Sequence, residues 1–502
     1  MSMSVVPKPY AYTEGDGFFV LPRDGSIMRC VTKKIDERIR GEESYELTVK
    51  TEGITLAAST SCGLFRGFQT LKQLVKTSRD GKLACVTVLD RPRFAYRAFM
   101  IDSARHMQTI DELKRMIDAA VFFKLNVFHW HLCDDQGFRI ESKVFPELNR
   151  VGSYRDCDDF GKFHIDKPYG GFYTQEEIGE IVRYCASKYI EVIPEIDMPG
   201  HVSALIASYP HLSCEGEKIP VRARNGIFAD LLCAGKESTY EFIYALLDEV
   251  CALFPSPTVH IGGDEAPKVK WYACPHCTAM MRDMGLKDAE ELQGVFTRRI
   301  CDYLASKGKK AIVWNDSLKS GLLDESVTVQ YWMGDKKAAA DHANKGGAVI
   351  NSDFYHYYAD YPFGMTPLWK TYRYEPILGG IKKENAEFLK GIEMPIWTEY
   401  VRDEQRMHEQ CFPRFAAAAE TGWTTPENKS YHSFKKRIKD LLPVLSEMGI
   451  QSAPPSVWDP LPIESVADIT RFFSKAANAD SARELAENKA REKVLKQQFI
   501  KE

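Results

Sequence analysis

The 502-residue chain is 44% hydrophobic, 12% aromatic and 27% charged, a composition that supplies a large buried core and excludes a disordered or fibrous protein. Its 66 basic and 70 acidic residues leave a formal charge of −4, so no overall field selects nucleic acid as a partner. No apolar run approaches the roughly 18 residues of a membrane span, no secretory leader is visible after Met1, and 13 cysteines without framework spacing fit reduced thiols; the expectation is a cytoplasmic protein with no membrane partner.

In chain order, Tyr45, Leu47 and Val49 alternate with polar neighbours, turn at Glu52-Gly53 and resume at Ile54, which predicts a hairpin. Leu64, Phe68, Leu71 and Val75 then form one helical stripe, and Leu83 to Leu89 supplies another strand. Residues 1–91 are therefore expected to form a small α+β domain. From there short apolar runs alternate with helices. The candidate strands are Ala98 to Ile101, Asn126 to Trp130, Glu191 to Ile196, Thr258 to Ile261, Ala311 to Trp314, Val327 to Tyr331, Ala348 to Asn351 and Met394 to Trp397. Thr109 with Glu112 and Thr174 with Glu177 predict capping boxes on two intervening helices. Strands interleaved with helices in this way predict a parallel (β/α)8 TIM barrel, an α/β fold, over residues 92–453. The long segment from Leu132 to Phe172 exceeds an ordinary strand-to-helix connection and is expected to help build the active site. Residues 454–502 are polar and helix-forming, and are expected to be surface helices with no functional role.

The motif that carries most chemistry is His260-Ile261-Gly262-Gly263-Asp264-Glu265, an apolar strand ending in two glycines and two adjacent acids. A regular strand would send Asp264 and Glu265 to opposite faces; flexible glycines before them let the chain bend so that both enter one pocket. Two close carboxyls push each other's proton affinities apart, leaving one ionised and one protonated, which suits glycoside cleavage. Trp130, Trp314, Trp332 and Trp397 lie in or at the ends of predicted strands, and Tyr358 follows another, so aromatic faces for the C–H face of a sugar are expected at one level of the barrel.

His129-Trp130-His131 places two histidines on one strand face, and with His201 and His260 this opens the alternative of a metal-dependent barrel hydrolase. His201, in Pro199-Gly200-His201, is equally placed to orient a carboxylic acid. Cys274-Pro275-His276-Cys277 has the spacing of half a zinc site, but no second such pair exists, so it reads as structural thiols. No nucleophile elbow or phosphate loop is present.

Together these residues resemble the family-20 glycoside hydrolases, the β-N-acetylhexosaminidases. The likeness runs from about Arg91 to Trp423: Arg97 with Asp102-Ser103-Ala104-Arg105-His106, Lys124 to His131 with Asp134-Asp135, Pro199-Gly200-His201, Gly262 to Glu265, Trp314, Trp332, Tyr358 with Asp360, and Trp397-Thr398-Glu399-Tyr400. Gly63 to Leu71 is similar to the accessory domain that precedes these barrels. The resemblance implies an exo-acting, retaining enzyme that hydrolyses terminal non-reducing N-acetylglucosamine or N-acetylgalactosamine from oligosaccharides or glycoconjugates, with no cofactor and no metal. It also implies substrate-assisted catalysis through an oxazolinium-type intermediate. Glu265 would be the general acid and base, and Asp264 would hold the 2-acetamido group as it attacks the anomeric carbon. Tyr358 would bond the acetamido oxygen, Trp314, Trp332 and Trp397 would enclose its methyl, and His201 with Asp134 would tune Glu265. Arg97, Asp360 and Glu399 would bind sugar hydroxyls, although Arg97 precedes the first barrel strand and so belongs by position to the opposite end. A non-catalytic barrel that binds N-acetylhexosamines is the remaining alternative.

Overall fold

The computed structural model describes residues 3–501. Tyr96–Asp102, Val127–His131, Glu191–Glu195, Thr258–His260, Lys310–Trp314, Thr328–Tyr331, Val349–Asn351 and Leu389–Ile396 pair in parallel and close into a barrel, the last strand bonding to the first. These are the eight runs expected from the sequence. Burial on both faces explains why they read as continuous apolar stretches. Inside, Ala98, Val127, Ile193, Ile312 and Ile350 form an apolar plug at the lower end. Above it lies a polar layer, where His129, Glu195, His260, Gln330 and Glu393 are all buried.

Both expected capping boxes are formed, on helices Ile110–Phe122 and Gln175–Ala186. Each N-cap is worth about 1 kcal/mol, and each fixes where the helix starts after its loop.

Before the barrel, the strands Tyr45–Lys50, Gly53–Ala58 and Lys82–Asp90 and the helix Ser61–Lys76 form as the pattern predicts. Two further strands, Ala11–Val20 and Val31–Ile35, complete a five-stranded sheet. They lie at its edges and are almost wholly exposed, so neither needed the alternation that reveals a half-buried strand. Gly67 is required where the helix meets the sheet, because a Cβ there would stand 2.3 Å from Leu56 Cδ1.

A buried charge network joins this sheet to the lower end of the barrel. Lys124 Nζ lies 2.8 Å from Asp90 Oδ2, and Trp423 Nε1 donates to the other oxygen of Asp90 at 2.8 Å. Arg97 and Arg66 each approach Glu43 Oε1 at 2.7 Å, and Arg97 also donates to the carbonyls of Phe94 and Lys124. Arg97, expected at the sugar, is thus fully buried and held by Glu43 and two backbone carbonyls at the lower end of the barrel. At about 3.3 Å per residue, Arg97 lies roughly 16 Å along its strand from Asp102 at the upper end.

The C-terminal segment is helical and largely exposed, as expected, but it is seated on the barrel. Helices Pro462–Ala476 and Ala479–Lys501 lie across the upper mouth of the barrel. Phe472 packs on Tyr361 and Tyr400 at 5.4 and 5.2 Å, Glu484 pairs with Arg224 at 2.5 Å, and Glu492 accepts from the Lys268 amide at 2.7 Å. Their largely polar surface hid this seat, because the contacts are a few aromatic and charged residues on otherwise exposed helices. Among the described residues no helix is long and apolar enough to cross a membrane.

Candidate active site

The upper end of the fourth strand shows why its two glycines are there. Gly262 and Gly263 have φ of +66° and +106°. A Cβ on Gly262 would stand 1.6 Å from Asp197 Oδ1, and one on Gly263 2.2 Å from Ser317 Oγ. Glu265 is itself in the left-handed region, at φ +45°. The turn brings both acids to one histidine: His201 Nε2 is 3.8 Å from Asp264 Oδ2 and 3.7 Å from Glu265 Oε2. His201 Nδ1 lies 3.3 Å from Asp134 and 3.2 Å from Asp135, both carried by the long loop after the second strand.

Burial raises Asp264 to about 6, with Asp316 and Glu195 adding to the rise and His201 opposing it. Burial likewise raises Glu265 to about 7, with Asp264 and Asp316 raising it further and His201 and Arg105 opposing. Burial disfavours the His201 cation, but Asp134, Asp135 and Asp264 outweigh it and hold the imidazole well above its ordinary value. Asp134, despite burial, is held below the usual carboxylate range by Arg105, His201 and His131. The site therefore couples a charged histidine to two carboxyls that titrate close to neutrality, the poise an acid–base pair needs.

Aromatic rings wall the space beside Asp264. Trp332 stacks on Tyr358 at 6.2 Å and 22°, and Trp397 lies 6.2 Å from both Tyr358 and Trp314. Trp332 Nε1 is tied to Asp316 Oδ2 at 2.8 Å and Trp314 Nε1 to Glu195 Oε1 at 2.8 Å, so two indoles are held in orientation by carboxylates. Asp264 Oδ1 and Asp360 Oδ1 are buried without a hydrogen bond among the described residues. Such atoms are costly unless a ligand completes them. Trp130, expected at this level, is instead fully buried on the barrel's outer side, between Phe128 and Tyr173 at 5.4 and 4.9 Å. Strand period explains it, since His129 and His131 take the inward face.

Arg105, part of the quoted motif but not assigned to the site, stands at the end of the barrel where Arg97 was expected. It follows the first strand's upper end, lies 2.8 Å from Asp134, 3.2 Å from Asp102 and 3.8 Å from Glu399, and sits 5.1 Å over the Trp397 ring. Position after a strand end was the signal available for it, as for Asp135, Asp197 and Asp316, none of which was assigned a role. Glu399 is 22% exposed, at the rim, and burial raises its pKa with Arg105 opposing.

The two arginines separate experimentally. Arg97→Met should lower stability by about 3 kcal/mol in denaturant unfolding, the loss of one partner of a buried pair, and leave KM unchanged. Arg105→Lys should lower kcat/KM about 10²-fold, corresponding to 2–3 kcal/mol of lost charged hydrogen bonding, with a small stability change. The reverse pattern would return Arg97 to the site.

The histidine pair does not open a metal centre to the cleft. His129 lies between Glu393 at 2.9 Å and Glu195 at 3.1 Å, and His131 contacts Glu195 and lies 3.0 Å from Asp134. His260 reaches Glu195 at 2.9 Å, and its ring lies 4.8 Å from that of Trp314. His129, Glu195 and His260 do bring donor atoms within 4.8 Å of one another, but all three are at most 1% exposed. A catalytic metal needs an open position for water or substrate, and this layer has none. It is an internal support: burial disfavours the His129 cation, yet Glu393 and Glu195 raise it to about 9.

The chain matches the model for the catalytic domain of glycosyl hydrolase family 20 over residues 94–426, and that for domain 2 of the same family over residues 21–91. The chain belongs to glycosyl hydrolase family 20. This family-20 chain is 38% identical over 432 residues to a beta-hexosaminidase of Porphyromonas gingivalis, covering 82% of this chain and 54% of that protein. It is 36% identical over 402 residues to a beta-hexosaminidase of Vibrio furnissii, covering 76% and 66%. It thus spans between half and two thirds of the length of those two relatives. Among solved structures, a family-20 exo beta-N-acetylglucosaminidase from Vibrio harveyi in complex with N-acetylglucosamine superposes with a TM-score of 0.82 at 31% identity, over 90% of this chain and 78% of that one.

Beside the aromatic box, a cavity of about 420 Å³ lies against Glu265 and Trp332. Its far wall includes Leu485, Lys489 and Glu492 of the last helix, so the C-terminal segment borders the cleft.

Proposed function

We propose that the chain is an exo-acting, retaining β-N-acetylhexosaminidase that removes terminal non-reducing N-acetylglucosamine or N-acetylgalactosamine from oligosaccharides or glycoconjugates. The observation that carries this reading is the pairing of Asp264 and Glu265 at 3.8 and 3.7 Å from His201, facing an aromatic box. Glu265, raised to about 7, delivers its proton to the leaving oxygen and then takes one from the attacking water. Asp264 receives the acetamido N–H on its unpartnered oxygen and supports positive charge as the acetamido oxygen bonds to the anomeric carbon. The nucleophile is part of the substrate and so enters at high effective concentration, which removes the need for a protein nucleophile. Tyr358 meets the acetamido oxygen, the three indoles enclose the methyl, and Arg105, Asp360 and Glu399 bind the remaining hydroxyls. Asp134, charged and bonded to His201, keeps that imidazole aimed at the acid pair. The cavity beside Glu265 takes the leaving group, with the last helix as its wall.

Two measurements test this. In a panel of aryl β-N-acetylglucosaminide, β-N-acetylgalactosaminide and β-glucoside, the acetamido sugars are turned over and the glucoside, which lacks the internal nucleophile, is not; comparable glucoside hydrolysis would refute the reading. In the pH profile of kcat/KM, activity rises as Asp264 ionises near 6 and falls as Glu265 loses its proton near 7. The two limbs belong to the interacting pair, and a rate constant from pH 5 to 8 would contradict the assignment.

A further inference from the structure

The C-x-x-C pair that lacked a sequence partner finds one in the fold. Cys274 is the residue joining helices Val269–Ala273 and Pro275–Asp283 and Cys277 lies in the first turn of the second, on the segment that leaves the catalytic turn. Cys214 and Cys233 come from the long connection between the third barrel strand and helix Glu237–Leu253. One sulfur from each of the four lies within 4.8 Å of the others. The separations of Cys214–Cys277, Cys233–Cys274 and Cys233–Cys277 are 3.8, 3.8 and 3.6 Å. A tetrahedral ion with metal–sulfur bonds of about 2.3 Å requires sulfur separations of about 3.8 Å. A disulfide requires about 2.05 Å, and ordinary packing has no reason to point four thiols at one another.

We propose that Cys214, Cys233, Cys274 and Cys277 bind one structural Zn²⁺. All four ligand positions are protein thiolates, three of the four cysteines are buried, and no position is left open for chemistry, as in a closed structural site. Binding replaces four S–H bonds by four Zn–S bonds and releases four protons, leaving a site of net charge −2. Lys236, whose Nζ donates to the carbonyls of His211 and Ser213, brings a positive charge to the adjacent turn.

The surrounding backbone is built for close approach. Cys233 N donates to Leu212 O at 2.7 Å, and Trp271 Nε1 donates to Leu232 O at 2.9 Å. A Cβ on Gly235 would stand 2.3 Å from the His276 carbonyl carbon, so the two segments touch there with no side chain between them. The ion staples the connection that begins near His201 to the segment that follows Glu265. Both halves of the candidate acid–base machinery then hang from one anchored frame. Among the described residues no other group of three or more cysteines converges in this way.

The full chain, purified under reducing conditions from zinc-supplemented medium, should carry about one zinc per molecule by inductively coupled plasma mass spectrometry. Titration of the native protein with a mercurial thiol reagent should release that zinc in step with the four thiols, read with a chromogenic chelator. Cys214→Ser and Cys277→Ser should each lose the metal and melt at lower temperature. The titration uses unmodified protein, so the test survives even if those variants fail to fold. Absence of metal both as purified and after exposure of the reduced protein to zinc would overturn the proposal. So would two disulfides within the cluster by mass spectrometry, or iron in place of zinc, visible as ferric-thiolate absorption.

Discussion

Replacing Glu265 by Gln is expected to cut hydrolysis of unactivated N-acetylhexosaminides by about 10²–10⁴-fold, the usual worth of a positioned general acid. The loss should shrink sharply for aryl glycosides whose leaving group departs without protonation. Glutamine keeps the volume and the polar contacts of the side chain, so the left-handed turn at Glu265 and the Gly262-Gly263 bend should be retained. With an activated substrate the alkaline limb near 7 should also vanish, because the group responsible for it is gone. Single-turnover and steady-state rates on paired good and poor leaving groups measure this. Equal loss on both would remove Glu265 from the acid's role.

The second large effect is expected at Asp264. Its ionised carboxylate sits in a buried site, where a charge opposing another is worth far more than in water. Asp264→Asn preserves shape but not charge, and should lower kcat by about 10²–10³-fold, comparable to removing one preorganised stabilising group. In the unmodified enzyme, progressive fluorination of the substrate's acetyl group should slow the reaction by weakening its carbonyl oxygen as a nucleophile. In Asp264→Asn that oxygen loses its electrostatic support, and the acid limb near 6 should disappear from the pH profile. A rate indifferent to fluorination would sink the internal-nucleophile mechanism, while leaving the acid role of Glu265 standing.

Much of the architecture was legible because it is written locally. Eight apolar runs, two capping boxes and one helical stripe each depend on residues within a turn or two of one another. The acid pair was legible for the same reason, since glycines and carboxyls at a strand end act within six consecutive residues. The edge strands Ala11–Val20 and Val31–Ile35 were not, because their exposed faces require no apolar period.

Arg97 and Arg105 show a different limit. Both stand in one quoted motif, and only the direction of the strand between them tells which lies beside Asp134 at the upper mouth and which beside Glu43. Trp130 and Trp314 differ likewise: both are strand tryptophans, and pleat parity together with the carboxylate available to the indole sends one to the outer core and the other to the box.

Composition, apolar period and short motifs thus determined by themselves a parallel barrel with an acid pair at one strand's end. Both follow from backbone sterics and burial acting over a few residues. Only the tertiary structure decided that the polar C-terminal helices border the cleft, that Arg105 rather than Arg97 lies at the upper mouth, and that four cysteines from Cys214 to Cys277 meet at one point. Those outcomes rest on contacts between segments far apart in sequence, whose distances no local pattern encodes and which chain closure around the barrel alone sets.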